Sequence, residues 1–221
     1  MINPIVYLTE RIFSAKPLET NPPEFNLKSI HQGHHQVTYK GIRCLKCPFD
    51  YVMYQMILWE TKPDLIIEIG TLTGGGTLYL ADILDQIGKG QIHSIDIVNQ
   101  SDPLVKKHKR IKLFYDGWEK YPLPDRRKFK KIIVIDDGAH TYEQVRDALT
   151  KFSPLINKNS YYIIEDGILS YLKTPLKYHG GPIRAIDEFL SQNNHFVIDK
   201  RWRDMFGFNT TFNTNGYLKR I

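Results

Sequence analysis

The sequence predicts a Rossmann-like, doubly wound α/β fold built on a mainly parallel seven-stranded sheet. Three observations predict it. Short apolar runs alternate with segments of helical period from residue 65 to the C-terminus. The first run, LIIEIG, opens into a cluster of glycines with a helix behind it, which leaves backbone free to approach a ligand at the carboxyl end of a strand. The runs that follow also close on acids, as strands do when their ends line a crevice.

Residues 1–47 carry Pro17, Pro22, Pro23 and Gly33 and are expected to form an irregular N-terminal arm or lid, with residues 48–221 as the domain. PFDYVMYQMILWETKPD begins with Pro48 at a helix start and ends at Pro63. Val52, Met56 and Trp59 supply its expected apolar stripe. Strands follow at 65–70, 91–96, 111–116, 131–138 and 160–167. Between and after them lie three helices: GTLYLADILDQIG, stopped by Gly88; YEQVRDALTKF, ending before Pro154; and GPIRAIDEFLSQN, with Pro182 near its start. HFVID (195–199) and GYLKRI (216–221) complete seven strands. There is no internal repeat.

A chain of 221 residues with 42% apolar side chains can bury a single-domain core. It contains no apolar run of membrane-spanning length, and MINPIVYLTERIF lacks a basic leader and a cleavage signature, so a soluble cytoplasmic protein is expected. Lys and Arg number 30 against 24 acids. The excess sits in local runs such as Lys106–Arg110 and Arg126–Lys131, read as solvated rims because no nucleic-acid module accompanies them; no nucleic-acid partner is expected. Cys44 and Cys47 cannot close a zinc site without borrowed ligands. His31, His34 and His35 lie just upstream, but the simpler reading is two reduced thiols in a loop.

The segment from Asp64 to Thr77 carries the cofactor reading. Its glycines are spaced E-x-G-x-x-x-G, with an acid inside the strand, unlike the G-x-G-x-x-G dinucleotide fingerprint. That is the form of class I S-adenosyl-L-methionine-dependent methyltransferases. Glu68 and Gly70 are expected against the amino-acid part of the cofactor, with Thr71 and Gly74 in the same loop. Asp96, ending the second strand, is placed on the ribose hydroxyls and Asp116, after the third, near adenine.

The fourth and fifth strands end in Asp136-Asp137-Gly138-Ala139-His140 and Glu165-Asp166-Gly167. Carboxylates converging in one crevice repel one another unless a cation sits between them. An oxygen-rich, thiolate-free site suits Mg²⁺ or Mn²⁺, with Asp137, Glu165 and Asp166 as ligands and Asp137 also beside the cofactor. Such an ion can lower the pKa of a bound hydroxyl, and His140 is placed to take its proton. Of Asp136 and Asp137, one is expected to cap the following helix while the other faces the site.

These residues resemble the cephalosporin hydroxylase/rhamnosyl O-methyltransferase family. The resemblance rests on PFDYVMYQMILWETKPDLIIEIGTLTGG, GKGQIHSIDI, VIDDGAHTYEQV, YYIIEDG, GGPIRAIDEFL and TFNTNGYLKRI, in that order, over roughly residues 40–221. It implies a metal held by an Asp after strand four and a Glu-Asp pair after strand five, matching Asp137, Glu165 and Asp166. It also implies a histidine three residues beyond the metal Asp, as His140 lies beyond Asp137. The implied activity is metal-assisted O-methylation of a hydroxyl, on a sugar of a glycolipid, a polysaccharide or a related natural product. A small-molecule or glycan acceptor is the implied partner, with peripheral glycolipid contact and a homo-oligomer both left open. The short arm and the C-L-K-C segment depart from the family where acceptor selection is expected.

Other functions fit less well. A hydroxylase, as half of the family name suggests, needs a two-histidine, one-carboxylate iron site, and no histidine here begins an H-x-D or H-x-E motif. A nucleic-acid methyltransferase would need a pocket for a flipped base, and no N/D-P-P-Y-like segment follows the fourth strand. A non-catalytic interaction protein would have no use for acids at all five strand ends.

Overall fold

The computed structural model describes residues 26–172 and 177–221. Residues 1–25, the larger part of the expected arm, lie outside them. The described part of that arm is more ordered than its prolines and glycine suggest. It forms helix α1 (Leu27–His34), started by an Asn26–Ser29 capping box, and a hairpin of β1 (Thr38–Tyr39) and β2 (Ile42–Arg43). The hairpin lies on the domain itself: Tyr39 donates to Asp82 at 2.7 Å, and Ile42 packs with Leu78 and Val105.

The remaining elements are α2 (Pro48–Thr61), β3 (Leu65–Ile69), α3 (Gly75–Ile87), β4 (Gln91–Ile95), α4 (Pro103–Lys107), β5 (Ile111–Phe114), β6 (Ile132–Asp136), α5 (Tyr142–Phe152), β7 (Tyr161–Ile164), α6 (Gly181–Gln192), β8 (Phe196–Ile198), α7 (Lys200–Arg203) and β9 (Tyr217–Arg220). The seven long-range strands pair in the order β5-β4-β3-β6-β7-β9-β8, parallel except for β9, which runs antiparallel between β7 and β8. β3 and β6 are buried along their whole length, which explains why they read as unbroken apolar runs rather than alternating ones. α2 and α3 cover one face of the sheet, with Ile57, Leu80 and Leu84 against Ile66 and Ile133. α5 and α6 cover the other, with Val145, Leu149 and Ile186 against Ile67 and Val134. No helix among the described residues is long and apolar enough to cross a membrane.

Two expectations need correction. Val52 and Trp59, the expected inward stripe of α2, are 45% and 56% exposed; the buried face is Met53, Tyr54, Ile57 and Leu58. The helix is apolar nearly all round, so its sequence does not say which side faces the sheet. Neither Asp136 nor Asp137 caps α5. Thr141 does, accepting from the Gln144 N–H at 3.3 Å.

The register sets the site. Ile69 lies opposite both Ile95 and Asp136, and Asp136 opposite Ile164. Gly70, Asp96, Asp137 and Glu165 therefore leave the sheet at one level. β3 pairs with β4 on one side and with β6 on the other, so the chain's crossovers part here and open the crevice in which doubly wound sheets bind ligands.

Candidate functional site

The glycine loop begins at Gly70, whose φ of +96° and missing side chain are both required: a Cβ there would stand 2.0 Å from the Asp137 carbonyl oxygen. Gly74, at φ +88°, opens α3 where a Cβ would meet Val105 at 2.7 Å. Asp96 secures the loop from the next strand. Its Oδ2 accepts from the Thr71 and Leu72 N–H groups at 3.0 and 2.8 Å, and its Oδ1 from Ile97 and Val98 at 2.7 and 3.0 Å. In front of this carboxylate lies a cavity of about 560 Å³, lined by Gly70, Leu72, Asp96, Ile97, Val98, Gly117, Trp118 and the segment from Asp137 to Ala139. Asp116 is exposed and outside that lining; the residues after it, Gly117 to Glu119, form the wall instead.

Glu68 lies beneath the loop rather than in the cavity. Burial pushes its carboxyl up to about 7, against the pull of Lys46 and of the Ser94 and Thr77 hydroxyls, which donate to it at 2.6 and 2.5 Å. It lines a small hollow with Lys46, Gly70, Thr71 and Asp137, and Gly70, Leu72 and Asp137 border both spaces.

The acids of the fourth and fifth strand ends meet as expected, but in two groups. Asp137, His140 and Asp166 bring ligand atoms within 4.8 Å of one another, with His140 Nε2 at 3.4 Å from Asp166 and 3.8 Å from Asp137. His140 and Asp166 each hold φ +58°, a left-handed conformation that side chains other than glycine seldom adopt and that clusters at functional sites. Gln144 braces the loop: its Oε1 accepts from the His140 N–H at 3.2 Å and its Nε2 donates to Asp136 at 2.9 Å. Asp136 faces inward, its carboxyl raised to about 6 by burial, and stays out of the cluster.

Glu165 makes the second group, with two residues that the sequence did not single out. The buried Lys46 ammonium donates to Glu165 and, at 3.1 Å, to Asp137; Tyr54 donates to Glu165 at 2.7 Å. Burial opposes the lysine charge, yet Asp137, Glu165 and Glu68 outweigh it and hold the ammonium well above the ordinary lysine range. A cation does sit between converging carboxylates here, and it belongs to the chain. No local signal could have found it, because Lys46 stands 91 and 119 residues from its partners.

Cys44 and Cys47 are free, buried thiols pushed up to about 11 and 12 by burial, so neither is poised to give a thiolate ligand.

Comparison with known proteins gives the family and the fold. A family model described as rhamnosyl O-methyltransferase/CmcI matches residues 31–115 and 123–221. The chain is 31% identical over 194 residues to the rhamnosyl O-methyltransferase of Mycobacterium leprae (strain TN), covering 83% of this chain and 82% of that protein. It is 30% identical over 195 residues to that of Mycobacterium tuberculosis (strain ATCC 25618 / H37Rv), covering 84% and 78%. Among solved structures it is similar to CmcI with SAH, at a TM-score of 0.64 and 21% identity over 95% of this chain and 98% of that one. A CmcI structure with Mg and SAM gives 0.60 and 21% over 97% and 95%. At those identities the likeness speaks for the fold.

Proposed function

The chain belongs to the rhamnosyl O-methyltransferase/CmcI family and is an O-methyltransferase of that type, and we propose that it takes S-adenosylmethionine as methyl donor and Mg²⁺ or Mn²⁺ as cofactor to methylate a sugar hydroxyl. The acceptor sugar belongs to a glycolipid, a polysaccharide or a related natural product. One observation carries this reading: the cavity on Asp96 and the Asp137–His140–Asp166 cluster adjoin at neighbouring strand ends and share Asp137. The names of the similar proteins point the same way, since the curated relatives are rhamnosyl O-methyltransferases and the CmcI structures hold SAH or Mg with SAM. Residues 48–221 would be the catalytic domain, with the β1–β2 hairpin and Lys46 completing its site.

The chain's own groups have assignable tasks. Asp96 takes the ribose hydroxyls, exchanging some of its four backbone donors for them. Gly70, Thr71 and Gly74 shape the loop beneath the amino-acid part, and Glu68 with Asp137 supplies negative charge for its ammonium. The adenine end falls to Val98, Gly117 and Trp118 rather than to the exposed Asp116. The residues fit a hard divalent cation: Asp137 and Asp166 offer carboxylate oxygens, Glu165 stands beside them, and the Lys46 ammonium shows that this corner favours positive charge. Bound there, the ion would supply Lewis acidity to an acceptor hydroxyl. His140 Nε2 takes the hydroxyl proton, and Asp166, 3.4 Å from that nitrogen, stabilises the ring once it is protonated.

The same 3.4 and 3.8 Å distances favour a second reading, with His140 as a metal ligand in place of Glu165, whose Oε1 is already engaged by Lys46 and Tyr54. Crystals soaked with SAH and Mn²⁺ test both. Anomalous density between Asp137 and Asp166 with His140 outside bonding distance is expected for the base; an Mn²⁺–Nε2 bond makes it a ligand; no density at saturating Mn²⁺ removes the metal.

A further inference from the structure

We infer that His31, His34 and His35 form a second metal site, one for a borderline transition ion of the Zn²⁺ class, that ties helix α1 onto the domain. The three residues follow an i, i+3, i+4 spacing at the end of α1, which puts their side chains on one side of the helix. Their ring centroids lie 4.0, 4.8 and 5.1 Å apart, and one nitrogen from each falls within 4.8 Å of the others. Bonds of about 2.0–2.1 Å from a tetrahedral Zn²⁺ would require the nitrogens to close to about 3.3 Å. His35 is exposed, so its side chain is free to rotate toward the other two.

Further features point to a ligand rather than to ring packing alone. His34 Nδ1 contacts the His31 carbonyl oxygen, which can only accept, so Nδ1 carries the proton and Nε2 presents a lone pair. A ring N–H given to a backbone carbonyl is the arrangement that orients metal-binding histidines. His34 is also buried, which disfavours the charged ring. His31 Nδ1 is buried and finds no hydrogen-bonding partner among the described residues, a cost that a coordinate bond would remove. The donor set is all imidazole, unlike the carboxylate cluster around Asp137, and imidazole favours Zn²⁺, Ni²⁺ or Cu²⁺ over Mg²⁺.

His31 packs tilted and His34 edge-on against Phe212, with ring centroids 6.1 and 5.1 Å apart, and Phe212 packs with Ile168, two residues beyond Asp166. An ion at this site therefore fastens the N-terminal helix against the loop beside the acid cluster. Three protein ligands leave a fourth position for water or another donor.

The test is calorimetric titration of the full chain with Zn²⁺ in a large excess of Mg²⁺, which keeps the oxygen-rich cluster occupied. One Zn²⁺ per chain is expected. H35Q, on an exposed side chain, and H31Q should each weaken it about tenfold or more, at least the effect of losing a partner behind a metal ligand. D166N should leave it unchanged. Co²⁺ in place of Zn²⁺ should give the intense visible bands of a four-coordinate nitrogen site, lost in H35Q. Zn²⁺ affinity within twofold of the parent in both histidine variants, displacement of Zn²⁺ by Mg²⁺, or loss of Zn²⁺ in D166N would each overturn the assignment.

Discussion

Replacing Lys46 by methionine should unmask the acid cluster. Lys46 is 3% exposed and Glu165 4%, while Asp137 is 25% exposed. Methionine nearly fills the lysine's volume, so the substitution removes charge with little packing loss. It leaves Asp137 and Glu165 facing each other without their shared cation. Deleting one partner of a buried ion pair costs about 3–5 kcal/mol, and the partial exposure of Asp137 argues for the lower end, about 3 kcal/mol. For a chain of this size that corresponds to about 6–12 °C in Tm. The loss has a pH sign. Without the ammonium, the raised carboxyl of Glu165 climbs further above its unfolded value, so the folded state holds a proton that the unfolded state releases. The penalty is therefore small near pH 4.5 and grows as pH rises toward 8. Mg²⁺ should restore about 2.7 kcal/mol at a hundredfold excess over its Kd, and Lys46→Met should bind it more tightly than the parent, because no resident cation competes. Differential scanning fluorimetry at pH 5 and pH 8, with and without Mg²⁺, reads all of this. A variant that melts within 1–2 °C of the parent at pH 8 without metal, a shift of roughly half a kcal/mol, would show that Lys46 is not the counter-ion described here.

His140→Ala should lower kcat by roughly 10²–10⁴ while SAH affinity by calorimetry stays near the parent's; a large fall in Mn²⁺ affinity instead would mark His140 as a ligand. Asp96→Ala should weaken S-adenosylmethionine binding by about 1–3 kcal/mol. It should also raise hydrogen exchange at Thr71 and Leu72, whose N–H groups it now holds; unchanged affinity would move the ribose elsewhere. EDTA should abolish turnover and Mn²⁺ should restore it; undiminished turnover in buffer shown metal-free by elemental analysis would exclude the ion from the mechanism. Asp50, raised to about 7 by burial, keeps its proton in the folded state over a range where the unfolded state has lost it. Stability should thus fall from about pH 4 to about pH 7 and then level. Asp50→Asn should flatten that fall in urea titrations, and a variant with the parent's slope would place the titration on Glu68 and Asp136.

The sheet was legible because β3, β6 and β7 are short, mainly apolar runs bounded by turns, and burial on both faces imposes that pattern on parallel strands. The glycine loop was legible for a related reason: Gly70 and Gly74 sit at positive φ where a Cβ would collide, so the sequence must show glycine there. The helix positions were readable too, but not always their faces. α2 is apolar nearly all round, and only its contact with α3 and the sheet decides that Tyr54 turns inward and Trp59 outward.

The sequence by itself therefore determined what depends on neighbours along the chain: strand and helix periods, the glycine loop, and acids at consecutive strand ends. Tertiary structure decided what depends on register and on distant segments. The shared level of Ile69, Ile95 and Asp136 places Gly70, Asp96 and Asp137 around one crevice. The same folding sends Lys46 and Tyr54 to Glu165 across 119 and 111 residues, and leaves Asp116 in solvent while Trp118 enters the cavity. The physical reason is that a strand's apolar period follows from burial alone, whereas a lone lysine or tyrosine has no period; its role exists only once the fold brings a partner to it.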